Sequence, residues 1–299
     1  MTNANTDALD APVKGTGRRR RGPFAEVIFR LSKSPLAMFG LAVILLLIFC
    51  AIFADVLAPY DFAKQDLAHN FETPSAEHWL GTDEFGRDIL SRLIFGARVS
   101  LQVGFIAVGI ALVVGGMLGA TAGYYGGWID NGIMRVMDVL LSIPQTLLAI
   151  AIIAALGANL MNLMIAVGVS AVPTYARIVR GSVLSIRGME FVEAARSVGS
   201  SDLRIIMKHI LPNAIGPIVI QTTSSISGMI LQASGLSFIG MGVQPPTPEW
   251  GYMLSEAREF LRMKPYLLIF PGICIMLTSL SFDLLGDGLR DALDPRLKD

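Results

Sequence analysis

Three histidines, two cysteines and one close group of carboxylates are the side chains of this chain best suited to bond-making chemistry, and their spacing argues against each use. His69, His78 and His209 fall between the long apolar runs, and no HExxH motif sets two imidazoles on one helix face for zinc. Cys50 and Cys274 lie inside apolar runs, without the paired spacing of a disulfide framework or a zinc site, and read as small apolar fillers. Asp83, Glu84 and Asp88 suggest calcium at first sight. Their spacing is not that of an EF-hand loop and Arg87 sits among them, so a turn braced by Asp–Arg pairs is the better reading. No catalytic residue and no metal ligand is assigned.

Two other groups have the types and spacing for recognition. The first is Glu193-Ala194-Ala195, three residues, Gly199, nine residues, then His209-Ile210-Leu211-Pro212. Met189 to Val198 has a helix-favouring composition, Gly199 stands where a helix turns left-handed at its end, and Ser200, Ser201 and Asp202 can cap a second short helix that Pro212 would close. The second group is Gln221, Ser225, Gly228, Gln232 and Gly235, which fall on one face at i, i+4, i+7, i+11 and i+14. Its polar members, Gln221, Ser225 and Gln232, are candidates to line a path for a solute or to bond neighbouring helices, since an amide inside a bilayer needs some partner.

The elements that must carry these groups are membrane helices. Hydrophobic residues make up 53% of the 299 and charged residues 16%, far from the roughly 25% charge of soluble domains. The formal net charge is zero, which gives no basic surface for nucleic acid. Charge-free runs at Leu36–Ala54 and Leu101–Gly123 are each long enough to cross a bilayer. The charge-free run from Val139 to Ala176 would be ~57 Å long as one helix, so it must fold back, with the break at Gly157-Ala158-Asn159 and a kink or end near Pro173. Ala214–Phe238 and Tyr266–Phe282 complete six spans, and Gly115, Gly119, Gly123 and Gly127 form a small-residue stripe for close helix packing.

Six spans put both termini on one side. If that side is the cytosol, 17 of the 24 lysines and arginines lie inside, which fixes the orientation as N-in and C-in. Arg18 to Arg21 then anchor the first span rather than a cleavable signal, because the following apolar run is too long for one and no A-x-A site follows it. Phe24, Val27, Ile28 and Leu31 make an amphipathic helix along the membrane face, opposite Glu26 and Arg30. The chain is thus expected as a cytosolic arm 1–35, a first span 36–54, an outer loop 55–98, a core of five helices 99–284 holding a cytosolic loop 180–213, and a cytosolic tail 285–299.

The segment from Glu193 to Pro212 resembles the EAA loop of ABC importer permeases, EAA-x3-G-x9-I-x-LP, with His209 in place of the pattern's Ile and Ile210 one residue on. Further segments are similar to the C-type permease subunit of the dipeptide, oligopeptide and nickel importers: Leu80-Gly81-Thr82-Asp83, Gly86-Arg87-Asp88, Leu236-Ser237-Phe238-Ile239-Gly240, Pro248-Glu249-Trp250-Gly251, Leu284-Leu285-Gly286-Asp287-Gly288-Leu289-Arg290-Asp291 and Leu293-Asp294-Pro295-Arg296. The resemblance runs from about Phe24 to the end. It implies an all-α polytopic protein of six transmembrane helices with the type I ABC importer permease fold, set in lipid in the bacterial plasma (inner) membrane. It also implies a second homologous permease subunit, two cytosolic ABC ATPase subunits and an extracytoplasmic solute-binding protein as partners. Glu193, Ala194, Ala195, Gly199, Leu211 and Pro212 would couple to the ATPase. ATP and magnesium would sit on the ATPase subunits and no cofactor on this chain, which is no enzyme.

Di- or oligopeptides are the expected cargo, with nickel or another small solute as the alternative. A stand-alone secondary transporter or channel is disfavoured by spans almost free of charge, and an embedded enzyme by the absence of catalytic residues within them.

Overall fold

The computed structural model describes residues 23–293, with side chains from residue 26 onward. The arginine run Arg18–Arg21, the side chain of Phe24 and the segment Asp294-Pro295-Arg296 lie outside the described residues. Twelve α-helices follow one another: α1 Pro23–Leu31, α2 Pro35–Ile52, α3 Ala54–Leu57, α4 Ile89–Tyr125, α5 Gly127–Leu141, α6 Gln145–Leu156, α7 Leu160–Ile186, α8 Glu190–Ser197, α9 Asp202–Ile205, α10 Leu211–Phe238, α11 Trp250–Ala257 and α12 Tyr266–Leu293. Among the described residues there is no strand, only an isolated bridge between Thr82 and Asp88.

Five of these helices are long and apolar enough to cross a membrane, and a sixth span results if the bent pair α5–α6 is counted as one. The spans pack through small residues because lipid removes the hydrophobic drive between them. A Cβ on Gly115 would meet the Val172 carbonyl at 2.6 Å, and one on Gly119 the Ala176 carbonyl at 2.3 Å. One on Gly123 would meet the Arg180 carbonyl at 2.9 Å. Three of the four stripe glycines therefore form the seam between α4 and α7. Gly127 does not: nothing approaches it, and its φ of +54° begins α5 after a sharp turn. On α2, Gly40 lies against the Ser281 carbonyl of α12, while Leu45, Leu46, Phe49 and Ile52 point outward, as a lipid-facing helix requires.

Several boundaries differ from the charge-free runs, each for a physical reason. Helix α4 starts at Ile89 rather than Leu101, because the Asp88 carboxylate caps it by accepting from the Ser91 N–H at 2.8 Å. Arg92 and Arg98 are thereby on a helix and not in the outer loop. The third span is not straight: Pro144 supplies no N–H and disfavours helix at Ile143, and α5 and α6 meet at 88°.

The hairpin at Gly157 is where expected, with φ of +90° and the Asn159 side chain capping α7. Helix α7 then runs through Pro173 to Ile186, since its seam with α4 outweighs one lost hydrogen bond. Pro212 likewise does not close a helix. The turn Ile206–Ile210 widens, so that the Leu211 N–H bonds to the Ile206 carbonyl five residues back, and Pro212 falls in the first turn of α10, where a missing N–H costs little. Helix α12 continues past Phe282 to Leu293, taking in the segment expected to open the tail.

Gly288 of α12 lies against Ala37 and Leu31, and Tyr124 at the end of α4 bonds to Asp202 of α9. Pro23, Leu293 and the α8–α9 segment thus share one end of the bundle. The opposite end holds α3, the 58–88 loop and α11.

The seam gives a direct stability test. Gly119→Val should lower the melting temperature of the purified protein in detergent, by an amount corresponding to about 1–3 kcal/mol or more, because backbone faces the new side chain. Gly116→Ala, beside nothing within 4 Å, should melt at or slightly above the parent, since Ala favours the helix by about 0.5–1 kcal/mol.

Candidate functional site

The α8–α9 corner is built from a short amphipathic helix and a glycine turn. Val192 and Ala195 of α8 are buried in a cluster with Val179, Val183, Ile186, Ile205, Ile206 and Ile210. The helix ends as the Ser200 N–H bonds to the Ala195 carbonyl at 3.1 Å and the Gly199 N–H to the Arg196 carbonyl at 3.0 Å. That pair is the Schellman closure, and it requires the left-handed φ of +79° found at Gly199. The six residues singled out for coupling do not share one surface. Glu193, Ala194, Gly199 and Pro212 are exposed, whereas Ala195 and Leu211 pack inward against the cluster. The exposed face also carries Val198, 81% accessible, and Leu203, 71% accessible, which composition did not single out.

The corner is fastened to the spans by polar contacts that no local pattern announces. The Tyr124 hydroxyl donates to Asp202 Oδ1 at 2.7 Å, and the Arg196 guanidinium lies over the Tyr124 ring. Arg196 is held protonated above its ordinary range, first by the Tyr124 hydroxyl. Arg187 donates to the Gly123 carbonyl at 2.9 Å and fills the space where a Cβ on Gly126 would sit. Arg180, expected as the first loop residue, instead lies on α7 and grips Asp130 of α5 with two hydrogen bonds of 2.5 and 2.6 Å. Arg177 pairs with Asp138 at 2.8 Å.

The polar face of α10 divides in two. Gln221 Nε2 donates to Ser225 Oγ at 2.8 Å, so these two satisfy each other within the helix. Gln232, about 16 Å further along at 1.5 Å per residue, accepts instead from Gln145 Nε2 at the start of α6, at 3.0 Å. Gln145 escaped notice in the sequence because only the bend at Pro144 turns it towards α10. Among the described residues no three His, Cys, Asp or Glu side chains converge as a metal site.

The family described as the binding-protein-dependent transport system inner membrane component matches residues 115–299. The chain belongs to this family of ABC importer permeases. Residues 22–74 match the N-terminal TM domain of oligopeptide transport permease C. The permease is 49% identical to the dipeptide transport system permease protein DppC of Alkalihalophilus pseudofirmus, over 92% of this chain and 91% of that one. It is 47% identical to the glutathione transport system permease protein GsiD of Escherichia coli, over 93% and 92%. A subunit of the MetNI methionine ABC transporter, solved in inward-facing conformations, shares the fold with a TM-score of 0.55 at 19% identity, over 69% of this chain and 98% of that chain. The permease is a multi-pass inner membrane protein of a class that works with ATPase and binding-protein partners.

At the end of the permease opposite the corner, the Asp–Arg turn read from the sequence is one side of a closed ring. Asp83 Oδ2 accepts from Arg87 Nε at 2.6 Å and from Arg92 Nη1, while Glu256 of α11 accepts from Arg87 Nη2 at 2.8 Å and from Arg92 Nη2 at 2.6 Å. Two cations and two anions alternate, nearly buried, with no net charge. Burial pulls the Arg87 guanidinium down, but Asp83 and Glu256 outweigh it and the net shift is upward. Tyr252 is pushed up to about 12 by burial and by Glu256. Glu84, outside the ring, is raised by burial and by the charges of Glu256 and Asp83. Beside the ring, buried Glu249 caps α11 through the Gly251 and Tyr252 N–H groups, and the Trp250 indole N–H donates to the Leu93 carbonyl.

Breaking the ring should be costly: Glu256→Gln leaves two buried guanidinium groups sharing one carboxylate and should destabilise by about 3 kcal/mol. Glu84→Gln should act in the opposite direction. A raised carboxyl contributes stability that is present below the ordinary carboxylate range and lost as pH rises through its folded value. The Gln variant should therefore melt above the parent at pH 7, and the gap should close towards pH 4.

Proposed function

We propose that this chain is the C-type permease of a dipeptide and oligopeptide importer, paired with a second homologous permease, two cytosolic ATPase subunits and an extracytoplasmic solute-binding protein. ATP and magnesium bind on the ATPase subunits, and this chain makes and breaks no covalent bond. The α8–α9 corner carries the reading. Its inner face is part of the core, while its outer face offers an acid, Glu193, an alanine, Ala194, and apolar Val198 and Leu203 with nothing covering them.

The end of the bundle that holds the corner also holds Arg30, Lys33, Arg187, Arg196, Arg204, Lys208 and Arg290, which supports a cytosolic position for it and for both ends of the chain. A push on the corner has two routes into the membrane. One is the unbroken helical path from α9 through the widened turn into α10. The other is the Tyr124–Asp202 bond and the Arg187 contact, which reach the end of α4. Closure of the ATPase pair would thus move α10 against the α4–α7 seam and open or shut a path between the two permeases. The peptide cargo follows from the relatives, one named for dipeptides and one for glutathione, itself a tripeptide.

The test uses the assembled transporter in vesicles with labelled dialanine. Glu193→Lys should leave the two permeases paired but reduce recovered ATPase and dialanine uptake about tenfold; unchanged uptake with full ATPase recovery would refute the coupling role. Gly199→Val should impair uptake more than Gly199→Ala. The site has open space around it, so positive φ alone sets the cost, about 1–2 kcal/mol and more for a β-branched side chain. Equal effects would argue against that origin.

A further inference from the structure

We propose that the cleft where α6 begins beside α10 recognises the main chain of the peptide in transit, through the paired amides of Gln145 and Gln232; this rests on the peptide reading above. The cleft has a volume of about 480 Å³ and is lined by Gln145, Thr146, Gly228, Gln232 and Gly235 among apolar neighbours, without a charged side chain. Gly228 and Gly235 leave open space where a Cβ would stand, so backbone rather than side chain bounds that wall. The twelve residues of α6 begin with Gln145 and end at the Gly157 turn, which puts the amide pair roughly 18 Å below that turn, near the middle of a ~30 Å hydrocarbon layer.

The two amides share a single hydrogen bond, Gln145 Nε2 to Gln232 Oε1. Gln232 Nε2 is buried and has no partner. Such an orphan donor is costly in a dry interior and points to a state in which it is satisfied. Among the described residues the Gln145 carbonyl oxygen has no partner either. One amide nitrogen and one amide oxygen are thus left without a partner, also if both amides are turned over. A peptide unit offers their complement, one carbonyl oxygen and one N–H. Inserted between the two side chains, it exchanges one amide–amide bond for two: Gln232 Nε2 donates to the substrate carbonyl, and the substrate N–H donates to Gln145 Oε1. Gln145 is exposed at the first position of α6, beside the bend at Pro144, and is free to swing aside. With no charge in the lining, recognition is of the main chain, and peptides with different side chains pass alike.

The experiment compares uptake of labelled dialanine with that of alanyl-lactate, in which an ester oxygen replaces the peptide N–H. Both are presented on saturating binding protein to the full transporter in vesicles. The parent should carry dialanine about fivefold to tenfold faster than the ester, the worth of the one neutral hydrogen bond that the ester cannot make. Q145L and Q232L should each slow dialanine by a similar factor. Q145L removes the acceptor for the substrate N–H and should bring the peptide-to-ester ratio towards one, whereas Q232L removes the donor to a carbonyl that the ester keeps and should slow both substrates alike. The double variant Q145L/Q232L removes both polar groups and leaves no buried orphan. It should assemble with its partners yet stay slow. Recovery of parental uptake in the double variant would make the pair a structural brace and overturn the proposal, as would an unchanged peptide-to-ester ratio in Q145L. A parent transporter that carries no dialanine at all would instead overturn the peptide reading beneath it.

Discussion

The contact between α4 and α7 is the constraint on which the rest of the permease depends. In lipid no hydrophobic drive holds two helices together, so close approach must come from shape. Gly115, Gly119 and Gly123 let the backbone of α7 lie where side chains would otherwise stand. That closeness puts Arg187 within reach of the Gly123 carbonyl and Arg180 within reach of Asp130. It also puts Val179, Val183 and Ile186 under the α8–α9 corner, as the floor on which Val192 and Ala195 rest. A wider seam would separate the guanidinium groups from their partners and leave the corner without a base.

The two ends of the bundle are stiffened differently. Opposite the corner, α11 is fixed to the start of α4 by the ring of Asp83, Arg87, Arg92 and Glu256 and by the capped, buried Glu249. Each ion would be expensive to bury alone, and together they cancel. At the corner the fastenings are single contacts, Tyr124 to Asp202 and Arg187 to a carbonyl, alongside apolar packing. Between the two ends, α5 and α6 meet at 88° and residues 141–147 are exposed, so a push on the corner, as proposed above, would be taken up there.

What could be read from the sequence was whatever depends on near neighbours. The hairpin at Gly157 and the corner at Gly199 both rest on a glycine that accepts positive φ between helical segments, a local demand with a local signature. The seam was legible because a stripe of glycines has few other uses in a span. Pro212 misled because its cost is local but its tolerance is not: a widened turn before it carries it into α10, as the α4 contact carries Pro173 within α7. The start of α4 was hidden because ion pairing lets Arg92 sit on a buried helix, and its partner Glu256 is 164 residues away. Ala195, singled out with Ala194 for coupling, lies about 100° from it around a short amphipathic helix and packs into the buried cluster.

The choice of amides rather than ions at the middle of the bundle follows from the same energetics that shape the ring. A charge at this depth needs a permanent counter-charge, and a site that must release its ligand on every cycle cannot have one built in. An amide pair costs far less to leave half satisfied, about 1–3 kcal/mol for an orphan donor. That is enough to favour a passing hydrogen-bond partner and too little to hold it. Gln145 is supplied by a broken helix, whose exposed first turn can rotate, and Gln232 by a continuous one braced by α4 and α12. On the proposed reading one wall of the cleft would move while the other stays fixed, an arrangement that would let a solute be received from one side and given up to the other without the bundle coming apart.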